Sequence, residues 1–186
     1  DLDGDFKPDL IVPSAVNNSS SVLKNNSTKG NFIFGAPLLL SGYTHYHIDA
    51  GDIDGDGKTD LVAGDYSGSR LAVYRNTSSS GTISMATPVL IPTGTNPTGV
   101  AISDLDGDGK PDVAAVVTNH QLNALRNTST SGNISFAPME TYIAGSFNGE
   151  HQLALGDING DGRNDAVVIT EIEKTISVHV NDISPV

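Results

Sequence analysis

Four carboxylates crowd into residues 104–112, Asp104-Leu105-Asp106-Gly107-Asp108-Gly109-Lys110-Pro111-Asp112. They stand at positions 1, 3, 5 and 9 of the stretch, and glycines at positions 4 and 6 let the backbone turn sharply enough to gather them. Anions this close repel one another unless a cation lies between them. Hard oxygen donors in a flexible loop suit Ca²⁺, which takes about 6–8 oxygens at about 2.3–2.6 Å. The donor set contains no nitrogen or sulfur, which favours Ca²⁺ over Zn²⁺ or Cu²⁺. Position 7 would add the backbone carbonyl of Lys110 while its ammonium points away.

The stretch recurs three times. Asp52, Asp54, Asp56 and Asp60, with the Lys58 carbonyl, form a full copy. Asp157, Asn159, Asp161 and Asp165, with the Arg163 carbonyl, form another with Asn at position 3. The chain opens on a copy made of Asp1, Asp3, Asp5, Asp9 and the Lys7 carbonyl, with Phe6 where the others have glycine. The starts at 1, 52, 104 and 157 are 51, 52 and 53 residues apart. Four copies at a near-constant period are a strong signal of up to four Ca²⁺ sites and of a repeat architecture. Asn159 removes a charge and should weaken the fourth site, and Phe6 sets the first apart.

An EF-hand loop needs a bidentate Glu at position 12 and flanking helices. Position 12 is Val12, Ala63, Ala115 or Val168, and each loop runs into an apolar, β-branched stretch: 10–12, 61–63, 113–117 or 166–169. Such runs read as buried strands, so the loop is a calcium clasp in a β-hairpin.

The elements that must hold these loops follow the same period. After each apolar run comes a polar turn, at 17–21, 65–69, 118–121 and, less regularly, around 171–174. A second strand ends in Asn at 22–25, 73–76, 124–127 and 178–181. A Ser/Thr/Gly turn leads to a third strand at 31–34, 82–85 and 133–136, ended or edged by Pro37, Pro88 and Pro138. A further strand at 46–50, 98–103 and 152–155 enters the next loop. Four short strands in each unit of about 40–50 residues predict an all-β chain of β-propeller blades. With the strand before each loop as strand A, the chain begins without a strand A, stops without a strand D, and holds about 3.5 blades.

Composition sets the remaining bounds. The 186 residues suffice for one domain, 1–186, that buries about 70% of its unfolded surface. Net charge is −12, yet fifteen of the 22 acidic residues are loop ligands, and the other seven face 10 Lys and Arg. Four bound Ca²⁺ would leave about −4. No basic patch suggests nucleic acid. The absence of cysteine excludes disulfides and thiol chemistry. No apolar run approaches the roughly 20 residues of a membrane span. A chain that starts on the first ligand of a loop reads as a piece of a longer one.

The pattern Asp-x-Asp-Gly-Asp-Gly-x-x-Asp-apolar, together with the Arg-Asn-Thr-Ser and Gly-x-Ile-Ser-Phe-Ala-Pro segments, resembles the FG-GAP/VCBS repeat family. It is similar to the calcium-bearing blades of integrin α-subunit propellers and of large secreted bacterial proteins. The resemblance implies a propeller, often of seven blades, with Ca²⁺ in its hairpins. It also implies a role in adhesion or ligand binding, or as a module attached to an enzyme, and a secreted or cell-surface location in a bacterium.

Other candidates carry less. His45 and His47 share a strand face, while His120, His151 and His179 have no companion catalytic constellation, so all five read as surface or strand-edge histidines. Sequons at Asn25, Asn76, Asn127 and Asn133 recur in register with turns and read as turn residues. The surface opposite the loops would hold Tyr43, His45, Tyr46, Tyr66, Arg70, Asn96, His120, Glu150 and His151. Trp is absent there, and a lectin reading is not favoured. The expectation is a non-catalytic, extracellular, calcium-stabilised scaffold for a protein or glycan ligand. Its rival is an accessory or carbohydrate-binding module of a secreted polysaccharide-active enzyme. Open end blades would meet the remaining blades of the parent chain or a second copy.

Overall fold

The computed structural model describes residues 1–144, 151–170 and 174–182. Every regular element among them is a β-strand, in four antiparallel sheets. Sheet 1 joins β1 (Leu10–Val12), β2 (Ser19–Leu23) and β3 (Leu38–Ser41). Sheet 2 runs β4 (His45–Gly51), β5 (Asp60–Asp65), β6 (Arg70–Tyr74), β7 (Val89–Pro92). Sheet 3 repeats that order with β8 (Pro97–Ser103), β9 (Asp112–Val117), β10 (Gln121–Leu125) and β11 (Glu140–Ile143). Sheet 4 holds β12 (His151–Gly156), β13 (Asp165–Thr170) and β14 (Thr175–His179). Each acidic loop therefore joins the first two strands of its sheet, or leads into β1 in sheet 1.

One expected strand is misplaced. Segments 31–34, 82–85 and 133–136 are not strands of the sheets. They fold back on the preceding turn through isolated bridges, Asn25 to Phe34, Asn76 to Met85 and Asn127 to Phe136. The outermost strand of each sheet comes after the proline instead, as β3, β7 and β11. A proline ahead of an edge strand costs no ladder bond, so it starts this strand rather than ending the one before. The turn at 171–173 lies outside the described residues.

The sheets stack face to face in chain order, and their first strands β4, β8 and β12 pack next to one another. Alternation along the middle strands explains the stacking. On β5, Leu61 and Ala63 face sheet 1 while Val62 faces sheet 3. On β9, Val113 and Ala115 face sheet 2 while Ala114 and Val116 face sheet 4. Both faces of these strands are buried, which is why their sequences read as continuous apolar runs rather than as alternation. Asp49 Oδ2 accepts from the Ile102 backbone N–H at 2.8 Å and ties β4 to β8.

His45 is a core residue, not the surface histidine its neighbours suggested. It is fully buried between sheets 1 and 2, with Nδ1 2.9 Å from Ser20 Oγ and Nε2 3.3 Å from the Tyr74 hydroxyl. A register shift in β4 between His45 and Ile48 breaks the alternation that would have kept His45 and His47 on one face. Burial holds the His45 imidazole below its usual range, against the opposing pull of Asp65. A histidine with a depressed folded pKa loses stability as pH falls through its unfolded value of 6.5. Between about pH 7 and about pH 5, urea titration of His45→Gln is expected to show a shallower loss of stability than the parent protein. Parallel losses would contradict a buried, neutral imidazole.

Candidate metal centres

In each loop the backbone folds around its own carboxylates. Asp52 Oδ1 accepts from the N–H groups of Gly55 (2.9 Å) and Asp56 (3.1 Å), and its Oδ2 from Gly57 (2.9 Å). Asp54 Oδ1 accepts from Asp56 N–H at 3.0 Å, and Asp56 Oδ1 from Lys58 N–H at 2.9 Å. The same pattern recurs at Asp1, Asp104 and Asp157. It requires left-handed backbone at positions 4 and 6, where Gly55 and Gly57 have φ of 73° and 86°.

Phe6 takes that conformation without being glycine, at φ 65°, and its N–H still reaches Asp1 Oδ2 at 2.8 Å. The departure at position 6 therefore leaves the first loop's backbone in the common shape. The ring is 95% exposed, so it returns little for the strain. Left-handed backbone costs a residue with a Cβ roughly 1–2 kcal/mol. Phe6→Gly is expected to raise stability by about 1 kcal/mol, read by urea unfolding. A loss would show that the strain is absent.

Three carboxylates converge in each of the first three loops: Asp1, Asp3 and Asp5; Asp52, Asp54 and Asp60; Asp104, Asp106 and Asp108. One oxygen from each member of a group lies within 4.8 Å of the others. Asp106 Oδ2 is buried and, among the described residues, has no hydrogen-bond partner; Arg126 Nε lies 3.9 Å away. A buried carboxylate oxygen without a partner is costly, and a bound cation would remove that cost. The oxygen-only donor set and this oxygen fit a hard divalent ion. The equivalent oxygen of Asp54 accepts from Gly132 N–H at 2.8 Å, in the turn of the next sheet.

The fourth loop differs, as Asn159 implies. Asn159 Oδ1 accepts from Asp161 N–H at 2.8 Å, and its amide donates to Asp161 Oδ2 at 3.2 Å. Arg163 pairs with Asp161 at 2.8 Å and, through that hydrogen bond, holds its carboxyl down at about 2. The position-7 lysines turn away from the loops: Lys58 Nζ donates to the Ser78 carbonyl at 2.9 Å and Lys110 Nζ to the Ser129 carbonyl at 3.2 Å. In the first loop Lys24 Nζ reaches both Asp3 Oδ2 and Asp5 Oδ2, and this hydrogen bond lowers the Asp5 carboxyl.

Position 9 does more than close a ligand set. Asp60 is fully buried; its Oδ2 accepts from Ile53 and Asp54 N–H, and its Oδ1 from Asn76 N–H at 2.7 Å. Burial raises the carboxyls of Asp60 and Asp112 against these backbone bonds. Asp9, Asp112 and Asp165 hold Asn25, Asn127 and Asn181 in the same way.

Asn76 and Asn127 were read only as turn residues and Asn181 as a strand end; in fact these three join one loop to the next. Asn76 Nδ2 donates to the Thr59 carbonyl of its own loop (2.9 Å) and to the Leu2 carbonyl of the preceding loop (2.8 Å). Asn127 does the same to Pro111 and Ile53, both at 2.8 Å. Asn181 reaches Asn164 at 3.2 Å and Leu105 at 2.8 Å. Each Oδ1 of Asn25, Asn76 and Asn127 also caps the N–H two residues on. An asparagine, whose amide offers two donors beside its acceptor, is thus what this junction needs. Its constant distance from the position-9 Asp was the available signal.

At the opposite end, the Tyr46 and Tyr66 rings meet at 4.6 Å, tilted by 36°, Asn96 donates to the Tyr66 carbonyl at 2.6 Å, and Arg70 pairs with Asp65 at 2.8 Å against the Tyr43 ring. Glu150 and the His151 side chain lie outside the described residues. A groove of about 370 Å³ between sheets 3 and 4, lined by Leu105, Ala124 and Val178, is mostly apolar. The matching space is filled at the other two junctions, by Ile83 and Met85 and by Ile134 and Phe136.

No curated protein matches the chain. The profile of the FG-GAP-like repeat matches residues 1–63, 52–115 and 104–168. Each match starts on one acidic loop and ends in or beside the strand after the next, the unit that the asparagine bridges tie together. The matches together cover well over half of the sequence, and the chain belongs to the FG-GAP-like repeat family.

Proposed function

We propose that this chain is a non-catalytic, calcium-stabilised β-propeller scaffold for protein or ligand interaction, acting outside a bacterial cell. The observation that carries the reading is the convergence of three carboxylates in three successive loops, with a buried, unpartnered Asp106 oxygen in one of them. Asp52, Asp54, Asp56, Asp60 and the Lys58 carbonyl would hold one ion, and the matching residues of the loops at 104 and 157 would hold theirs. The ion supplies positive charge that lets the acids stay ionised side by side. The protein's part is to hold the carboxylates together with backbone N–H groups, which reach both oxygens of Asp52, Asp54 and Asp60 and one oxygen of Asp56.

The sheets supply the blades. At the three junctions within the chain, the position-2 residue of one loop sits under the asparagine of the next sheet, and Ile53 is 2% exposed. Ile158 is 59% exposed, and Ile169, Ile176 and Val178 of sheet 4 are exposed with it. Leu10, Val12 and Leu39 are exposed on sheet 1. Apolar faces of this kind suit further blades, from the parent chain or from a second copy.

Isothermal titration with Ca²⁺ and, separately, Zn²⁺ tests the reading. Saturable Ca²⁺ binding with a Kd of about 10⁻⁴–10⁻³ M or tighter supports it. Zn²⁺ binding tighter than Ca²⁺, or no binding of Ca²⁺, rejects it.

A further inference from the structure

We infer that Lys24 takes the place of the metal ion in the first loop, so that this loop closes without calcium while the later loops bind it. The inference rests on the calcium reading above and divides its sites into two kinds. Lys24 follows β2, and its ammonium donates to Asp3 Oδ2 and to Asp5 Oδ2, the latter at 2.7 Å. These are two of the three carboxylates gathered in that loop, and the Asp3 side chain is fully buried. An ammonium is a compact point charge with three donors and no acceptor, so it can satisfy several carboxylate oxygens at once.

Among the described residues of the later repeats, no lysine joins two loop carboxylates in this way. The residue that precedes the bridging asparagine is Lys24, Arg75, Arg126 or Val180. Arg126 lies half exposed, its Nε 3.9 Å from Asp106 Oδ2, and leaves that oxygen without a hydrogen bond. Val180 carries no charge. Arginine's planar fork spreads its charge over a wider head than an ammonium, and here it stays at the rim. That position sets part of the contest between side-chain cation and metal, with Lys24 inside the cluster and Arg126 beside it; in the fourth loop the cation comes from position 7, where Arg163 pairs with Asp161 at 2.8 Å.

Equilibrium dialysis with radioactive Ca²⁺ on the full chain tests the inference. Lys24→Met should bind one more ion than the parent protein, and its melting temperature should rise more on adding Ca²⁺. Two variants that leave Lys24 in place give a second measure should Lys24→Met fail to fold. Asp1→Asn should leave the parent's calcium stoichiometry unchanged, whereas Asp104→Asn should lower it by one. Equal losses from Asp1→Asn and Asp104→Asn, or equal stoichiometry with and without Lys24, overturn the inference alone. No calcium bound to any of the proteins overturns both it and the reading it rests on.

Discussion

Asp60→Ala is expected to remove about 3–6 kcal/mol of folding stability, most of what a domain of ordinary stability has. The side chain is fully buried and accepts from three backbone N–H groups, those of Ile53, Asp54 and Asn76. Truncation leaves all three donors without their acceptor, and an unsatisfied buried donor costs about 1–3 kcal/mol. The loss should appear in urea unfolding with calcium chelated, because the tie between loop and strand needs no ion. Asp56→Ala, where a half-buried side chain accepts one backbone N–H, should cost far less under chelation. A cost below about 1 kcal/mol for Asp60→Ala would show that the loop re-forms its bonds elsewhere.

The second large effect is expected at Asn127. Asn127→Asp replaces two donors with acceptors that face the Pro111 and Ile53 carbonyl oxygens, each now 2.8 Å away. It also buries a second carboxylate beside Asp112, which bonds the same residue's N–H. A buried charge without a partner costs about 3–5 kcal/mol. Asn127→Asp should therefore be at least as damaging as Asn127→Ala, although it is the nearly isosteric change. Asn133→Asp, at an exposed position, should stay within about 0.5 kcal/mol of the parent. Comparable small effects at Asn127 and Asn133 would contradict the bridging role. The burial of Asn76 and Asn127 also leaves them no room for a glycan, which requires a surface asparagine.

These two residues show where the sequence is readable and where it is not. The loops and the strands on either side of them were legible because Asp and Gly punctuate apolar runs whose type and length leave few alternatives. The outer strands were not. Asn31-Phe32-Ile33-Phe34 has the composition of a strand, yet Phe32 is exposed and the segment closes a hairpin on residues 25–28. The true outer strands are four residues long, lie at the edge and follow a proline, so neither burial nor alternation marks them. His45 was misread because its partners Ser20 and Tyr74 are 25 and 29 residues away, in two different sheets. The asparagine bridge was visible as a pattern but not as a mechanism, since its second acceptor lies 74 to 76 residues away.

Calcium dependence of the fold is most directly measured by thermal unfolding in about 1 mM Ca²⁺ and again with excess EDTA. For a Kd of about 10⁻⁴–10⁻³ M, each occupied site adds roughly 0.4–1.4 kcal/mol. Three sites then add roughly 1–4 kcal/mol, and for a chain of this size EDTA should lower the Tm by about 3–15 °C. Re-adding Ca²⁺ should restore the transition, and Mg²⁺ at the same concentration should not. Superimposable melts with and without EDTA would contradict a calcium-stabilised scaffold.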